Sequence, residues 1–397
     1  ILHPNIHYLK VSFKFRVRKF MKLFKSLLVA PAALGLLAPM AATANEVTVN
    51  DFNPVIQNTL LAGGEGLVDD HSHDGSFSET TTASFSADMA IGAIDGGTST
   101  ADDALEAYYG FQIDLNTSFT GEDSLDISID AGNAGGAVTE FDLNGPATTA
   151  ASTTASDILT VDGVSYTFPV GGATVFVGDN TDGSALFSTA CVYGGPSNTL
   201  DDCGNVNAGI TGGGTAFGAS YDFENGFTAA VGYAGEGSTT SGLMTEEGLD
   251  SYGANVAYTG DSFGVSLTYG TTETDEVSDV DEDSFTALNA YWTPEGFPSV
   301  SFGYEWGNDG SALSTADEMT SYFVGIQFDE AGPGTLGAAF GTKTPTIEDA
   351  EDLLMYEAFY SYPINDGMTI TPLVYIKEMS GSTDDETGVM VKTSFSF

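Results

Sequence analysis

The sequence places His71 and His73 among Asp69, Asp70 and Asp74, a mixture of imidazoles and carboxylates that binds Zn²⁺ or Cu²⁺ where a rigid fold fixes the geometry. The surrounding Gly, Ser and Thr supply no packing and no groups to orient the rings, so a flexible leader is the first reading. Asp279, Asp281 and Asp283 alternate within TTETDEVSDVDED, residues 271–283. They lack the turn glycine and distal glutamate of an EF-hand, so this stretch reads as a solvated acidic loop that holds Ca²⁺ or Mg²⁺ loosely at most, with no cofactor expected. No histidine follows His73, which removes the usual proton acceptor for nucleophilic catalysis. Paired carboxylates that could hydrolyse glycosides arise by chance among 56 Asp and Glu, so the chain is not expected to be an enzyme. Its 49 glycines include no stretch leading into the Lys-Ser/Thr of a phosphate-binding loop.

Charge and export signals narrow the class. Met21, Lys22 and Lys25, the apolar run 27–37, and Ala42-Thr43-Ala44 compose a secretory signal over residues 21–44, with residues 1–20 expected to be an untranslated leader. After residue 25 the basic side chains are Lys343, Lys377 and Lys392, with no arginine. Against 56 acids these cannot replace the counterions of a phosphate backbone, so no nucleic-acid partner is expected. The 26 Phe and 17 Tyr are too many for acidic disorder. In an exported chain, Cys191 and Cys203 in CVYGGPSNTLDDC most simply form one disulfide that closes a local loop; free thiols and a metal pair are the alternatives.

The elements that must position these groups are strands. No stretch after the signal has the roughly 20 apolar residues of a membrane helix. From residue 83, instead, apolar residues alternate: Phe85, Ala87, Met89 and Ile91; then Phe111, Ile113 and Leu115; then Leu125, Ile127 and Ile129. Tight turns join some segments, as at Glu224-Asn225-Gly226, where Asn-Gly suits the positive φ of a hairpin, and at Asn365-Asp366-Gly367. Longer polar connectors, such as 235–249, 271–283 and 307–320, alternate with them. The pattern predicts an all-β fold, a transmembrane antiparallel β-barrel over residues 83–397. About 16 strands are expected, with 14 or 18 as alternatives, together with short periplasmic turns and long outer loops. Residues 45–82 are expected to be a flexible periplasmic segment. A soluble sandwich or solenoid is the rival; aromatic residues at strand ends favour the barrel.

Several blocks, in order, carry a family likeness: YTFPVGG (166–172), TSGLMTEEGLDSYGANVAY (240–258), SYFVGIQFDEAGPG (321–334), LMYEAFYSYPINDGMTITPLVY (354–375) and DETGVMVKTSFSF (385–397). The chain resembles a marine cyanobacterial porin of the carbohydrate-selective (OprB-like) porin superfamily. Residues 45–82 leave too little chain for the S-layer-homology domain usual there. The family's arginines on pore-lining strands are also missing; LDISIDAGN (125–133) stands in such a place. The resemblance implies an outer-membrane channel for passive diffusion of small hydrophilic solutes and ions. A sugar-preferring channel and a structural or adhesive barrel are the alternatives. The wider porin class adds a homotrimer as an expectation.

Alternation carries the site. If Phe111, Ile113 and Leu115 face lipid, then Gln112, Asp114 and Asn116 face the lumen with Asp126 and Asp130 of the next strand. A hairpin centred on Glu122 sets Asp114 opposite Asp130. With no arginine to offset them, mobile cations must do so, and the pore is expected to be cation-selective. The terminal strand ends on Phe395 and Phe397, a segment that looks like the signal read by the barrel-assembly machinery, with outer-membrane lipid around it.

Overall fold

The computed structural model describes residues 81–96, 104–133, 140–141, 143, 157–211, 214–237, 242–245, 248–273, 282–310, 318–344, 346–347, 351–379 and 384–397. They belong to the compact unit Gly75–Phe397. The expected leader, signal and periplasmic segment, with His71 and His73, lie outside the described residues, as do Asp279 and Asp281.

Among the described residues seventeen strands join in one antiparallel sheet. They are β1 (Thr81–Asp95), β2 (Glu106–Thr117), β3 (Ser124–Gly132), β4 (Thr160–Val170), β5 (Ala173–Thr181) and β6 (Gly214–Asp222). Then come β7 (Phe227–Gly235), β8 (Asp250–Thr259), β9 (Phe263–Thr272), β10 (Asp283–Trp292), β11 (Ser299–Asn308) and β12 (Met319–Ala331). The last are β13 (Gly334–Thr342), β14 (Thr346–Ile347), β15 (Leu354–Asn365), β16 (Met368–Lys377) and β17 (Glu386–Ser396). Each wall strand pairs with its sequence neighbours, except that the two-residue β14 caps β12 while β13 pairs directly with β15. β17 returns to β1 and closes a 16-strand barrel. Closure leaves no edge strand, so the backbone groups of the wall are satisfied within it.

Alternation along the strands separates two faces. In β9, Phe263, Val265, Leu267 and Tyr269 are exposed while Gly264, Ser266, Thr268 and Gly270 are buried. In β11, Phe302, Tyr304 and Trp306 are exposed while Ser301, Gly303 and Glu305 are buried. Cross-strand pairs keep the two sets apart around the ring: Leu267 meets Leu288, and Ser266 meets Asn289. In these strands the order of a soluble protein is reversed, with apolar side chains outside and polar ones within.

Short turns join the strands at one end. The β6–β7 turn holds Glu224 at φ 59° and Gly226 at φ 88°, so the left-handed residues flank Asn225, where the sequence pointed to Asn225 with Gly226. Glu224 tolerates this conformation because the Asp222 carboxylate accepts its amide at 2.7 Å, and Asn225 accepts that of Phe227 at 3.2 Å. At the other end the connections are longer, the largest being residues 182–213 between β5 and β6.

Candidate functional site

That β5–β6 connection defines the inside of the barrel. The Ser188 amide donates to Asn255 of β8 (2.9 Å), that of Ala190 to Ser266 of β9 (2.8 Å), that of Val192 to Ser301 of β11 (3.0 Å) and that of Gly194 to Gln327 of β12 (2.8 Å). From β8 to β12 is four strand spacings, about 19 Å, and six extended residues span about 20 Å. The segment therefore runs straight across the strands, and every second amide takes an acceptor from the wall. Only a path through the lumen meets so many strands on one face.

The returning half is held equally. Glu305 of β11, 1% exposed, accepts the amides of Asn207 and Ala208 at 2.8 Å each and the Asn207 side chain at 3.0 Å. Asn289 donates to the Cys203 carbonyl at 2.9 Å, and Ser321 to that of Gly204 at 3.2 Å. A Cβ on Gly303 would overlap the Cys203 carbonyl oxygen, and one on Gly232 that of Gly183, so glycine at these positions lets the loop lie flush on the wall. Cys191 and Cys203 are disulfide-bonded, tying the outgoing and returning halves together.

Apolar side chains complete the docking. Tyr193, Leu200, Phe323, Met355, Phe359, Leu373, Tyr375 and Met390 pack in one buried cluster within the lumen. Phe141 and Leu143, from the connection between β3 and β4, join it. Phe141 is 2% exposed, and burying such a ring contributes about 2–3 kcal/mol. The Tyr193 hydroxyl donates to Glu357 at 2.6 Å; burial, then the neighbouring carboxylate, pushes its phenol up and keeps it a neutral donor. Desolvation likewise pushes the Asp202 carboxyl on the loop up.

The wall diametrically across from β11, around β3, carries the carboxylates named from the sequence. Gln112, Asp114 and Asn116 on β2 and Asp126 and Asp130 on β3 share the inner face, but the pairing differs from expectation. Gln112 stands opposite Asp130, Asp114 opposite Ser128 and Asn116 opposite Asp126, so the predicted Asp114–Asp130 pair does not form. The turn is centred on Gly121, at φ 86°, instead of Glu122, which moves the register by two. Amides and hydroxyls now separate the charges. Asp114 accepts from Gln112 and from Ser128 (2.7 Å each), Asp126 from Asn116 (2.6 Å) and Ser124 (2.7 Å), and Asp130 from Thr160 (2.7 Å). Asp130 is only 3% exposed, so it supports the wall more than it meets solvent.

Two further acids complete this face, and strand parity could not have found them. Asp162 is the extra residue of a bulge in β4, between Val161 opposite Ile129 and Gly163 opposite Ser128. With Asp182, at the start of the inward loop, it lines a recess of about 440 Å³ together with Asp126, Ser128, Ser165 and Asn180. Among the described residues no group of three or more His, Cys, Asp or Glu is arranged to hold a metal; Asp283 accepts the amide of Gly310 at 2.7 Å. Phe395 pairs with Ala87 at the barrel seam, and Phe397 stacks on Phe85 at 5.8 Å.

No protein-family model matches the sequence, and no curated protein matches it. Solved structures do. OprB of Pseudomonas putida is 12% identical, with 80% of this chain and 94% of that chain covered and a TM-score of 0.57. Two mutants of the Rh. blastica porin, one with two introduced tryptophans and one with an introduced lysine, are each 14% identical over 80% of this chain and 100% of theirs, with TM-scores of 0.52 and 0.54. The fold is thus that of the 16-strand porin barrels.

Proposed function

We propose that the protein is an outer-membrane porin, a water-filled channel through which small hydrophilic solutes and ions diffuse passively, with cations preferred over anions. One observation carries this reading: among the described residues the inward loop packs on the wall from β5 to β12 and on β15, while Asp126 and Asp162 of the β3–β4 wall border a solvent-accessible recess with Asp182 of the loop, and Asp114 shares their face. Sixteen strands enclose more space than their own side chains fill. A carboxylate wall raises local cation concentration and repels anions, most strongly where salt screens least. The outward aromatic and aliphatic face suits lipid, and the likeness to the Rh. blastica porin supports the same reading.

The short turns then face the periplasm and the long loops the outside, with residues 21–44 as the export signal and Phe395 and Phe397 in the segment offered to the barrel-assembly machinery. A homotrimer accords with the porin class. A sugar-preferring channel is a second reading, favoured by the amides and hydroxyls of Gln112, Asn116, Ser124 and Ser128 between the carboxylates, which could exchange hydrogen bonds with sugar hydroxyls. Reversal potentials of the purified chain in planar bilayers under a KCl gradient test the first reading, and liposome swelling with sugars the second. Absence of conductance would leave only a structural barrel.

A further inference from the structure

Two of the three lysines after residue 25 stand at inward-facing positions, Lys377 on β16 and Lys392 on β17. The third, Lys343, follows β13, with its ammonium 3.1 Å from the Met379 sulfur. By register Lys392 is level with Ala90 of β1 and Tyr108 of β2, about 20 Å along the strand from Asp114, and Lys377, opposite Glu386, lies farther still toward the long-loop end. That exceeds the Debye length of about 10 Å at 0.1 M, so bare ammonium groups there would form a separate positive level of the passage and repel cations before or after they meet the acidic wall.

Neither ammonium is bare. Lys377 forms an ion pair with Glu140, their side chains being 15% and 5% exposed. The Lys392 ammonium lies 5.7 Å from the centroid of the Phe141 ring. One dipeptide from the β3–β4 connection therefore meets both lysines. It is held in the lumen by groups other than the lysines: the amides of Asn198 and Thr199 donate to the Glu140 carbonyl (2.9 Å) and carboxylate (3.0 Å), and Phe141 bridges to Ser197.

We propose that Glu140 is a specificity-determining residue of the channel. Carried inward beside Phe141, it cancels the charge of Lys377, so that Asp114, Asp126, Asp162 and Asp182 act on passing ions against less positive surface. The ions concerned are small inorganic cations, favoured over anions of similar size. This inference rests on the channel reading above.

The test is the reversal potential of the full chain in planar bilayers under a low-salt KCl gradient. Glu140→Gln keeps an acceptor for the Thr199 amide but frees the Lys377 charge; the K⁺-to-Cl⁻ permeability ratio is expected to fall about two- to five-fold. Lys377→Met, which leaves Glu140 uncompensated, is expected to raise it, and the double variant to return it to the unmutated value. An unchanged ratio in Glu140→Gln overturns the proposal, as does a double variant shifted as far as Glu140→Gln alone, since that marks a docking effect and not one of charge. A parent chain that conducts without cation preference overturns the channel's selectivity along with this inference; a cation-selective parent with an insensitive Glu140 overturns this inference alone.

Discussion

Gln112 stands opposite Asp130 across the β2–β3 ladder, an amide where sequence reasoning placed a carboxylate. Asp114 is diagonal to Asp130 and is bonded to Ser128 and Gln112. Spacing carboxylates with neutral donors keeps like charges from standing directly opposite, an arrangement that is unfavourable across a strand pair.

The first prediction follows from that spacing. Asp114→Lys is expected to lower cation preference strongly, because its carboxylate is partly open, whereas Asp130→Asn, at a covered position, should change it little. Reversal potentials at low and high salt check both, the difference shrinking as salt rises. Equal effects at the two positions would contradict the assignment of the wall.

A second prediction concerns Glu305. Glu305→Ala removes the acceptor of two loop amides, and leaving such buried donors unpaired costs roughly 1–3 kcal/mol each. The barrel should still assemble while the loop loosens, giving larger and noisier single-channel conductance. A quiet channel of unchanged conductance would show that Glu305 does not hold the loop.

The disulfide supplies a third. Intact-mass analysis of native protein should find no alkylatable thiol, and a Cys191→Ser, Cys203→Ser variant should fold but fluctuate more in single-channel recordings, since the bond closes a loop and not the wall. Two reactive thiols in native protein would contradict it.

The fourth concerns acid. Asp123, in the β2–β3 turn, accepts the Tyr166 hydroxyl at 2.6 Å and groups of Thr120, Phe119 and Ser118, and these bonds hold its carboxyl well below the usual range against the opposing effect of desolvation. A carboxyl depressed on folding stabilises the fold fully above its unfolded value, about pH 4, and that stabilisation is lost as pH falls through the lower folded value. Amide exchange at Phe119 and Thr120 should stay protected below pH 4 and lose this acid dependence in Asp123→Asn. Deprotection already at pH 4 to 5 would refute it.

Removing residues 391–397 is the fifth. Phe85 and Phe397 exchange two backbone hydrogen bonds of 3.0 Å, and the seam runs on through Ala87–Phe395 and Ile91–Val391. The shortened chain should not reach the outer membrane; normal heat-modifiable barrel there would count against this seam.

Much of the wall was legible in the sequence. Period-two runs such as Phe263 to Tyr269 separate outward from inward residues without ambiguity, and the tight turns mark their ends. The register of β2 and β3 was not, because Gly121 and Glu122 serve equally well as a turn centre until hydrogen bonds choose. Asp162 escaped because a bulge changes parity within a strand. The inward loop was legible only as a polar stretch with two cysteines: Asn255, Ser266, Ser301 and Glu305, which hold it, look the same in sequence as residues facing water. Glu140 and Lys377 lie too far apart in the chain for either to announce the other.

Every wall pairing but one joins strands close in sequence, whereas Ser86 meets Ser396 across the whole barrel. That ladder closes the ring, and bringing together segments so distant in the chain carries the largest loop-closure cost of the wall. The β5–β6 loop, bonded to β8 through β15 on the inner face, ties those strands together, and the seam between β1 and β17 lies outside that span. Until the ring shuts, β1 and β17 are both open edges, ready to pair with another chain. The period of greatest risk for this protein thus lasts until its seam is sealed, a hazard of timing that the finished barrel no longer displays.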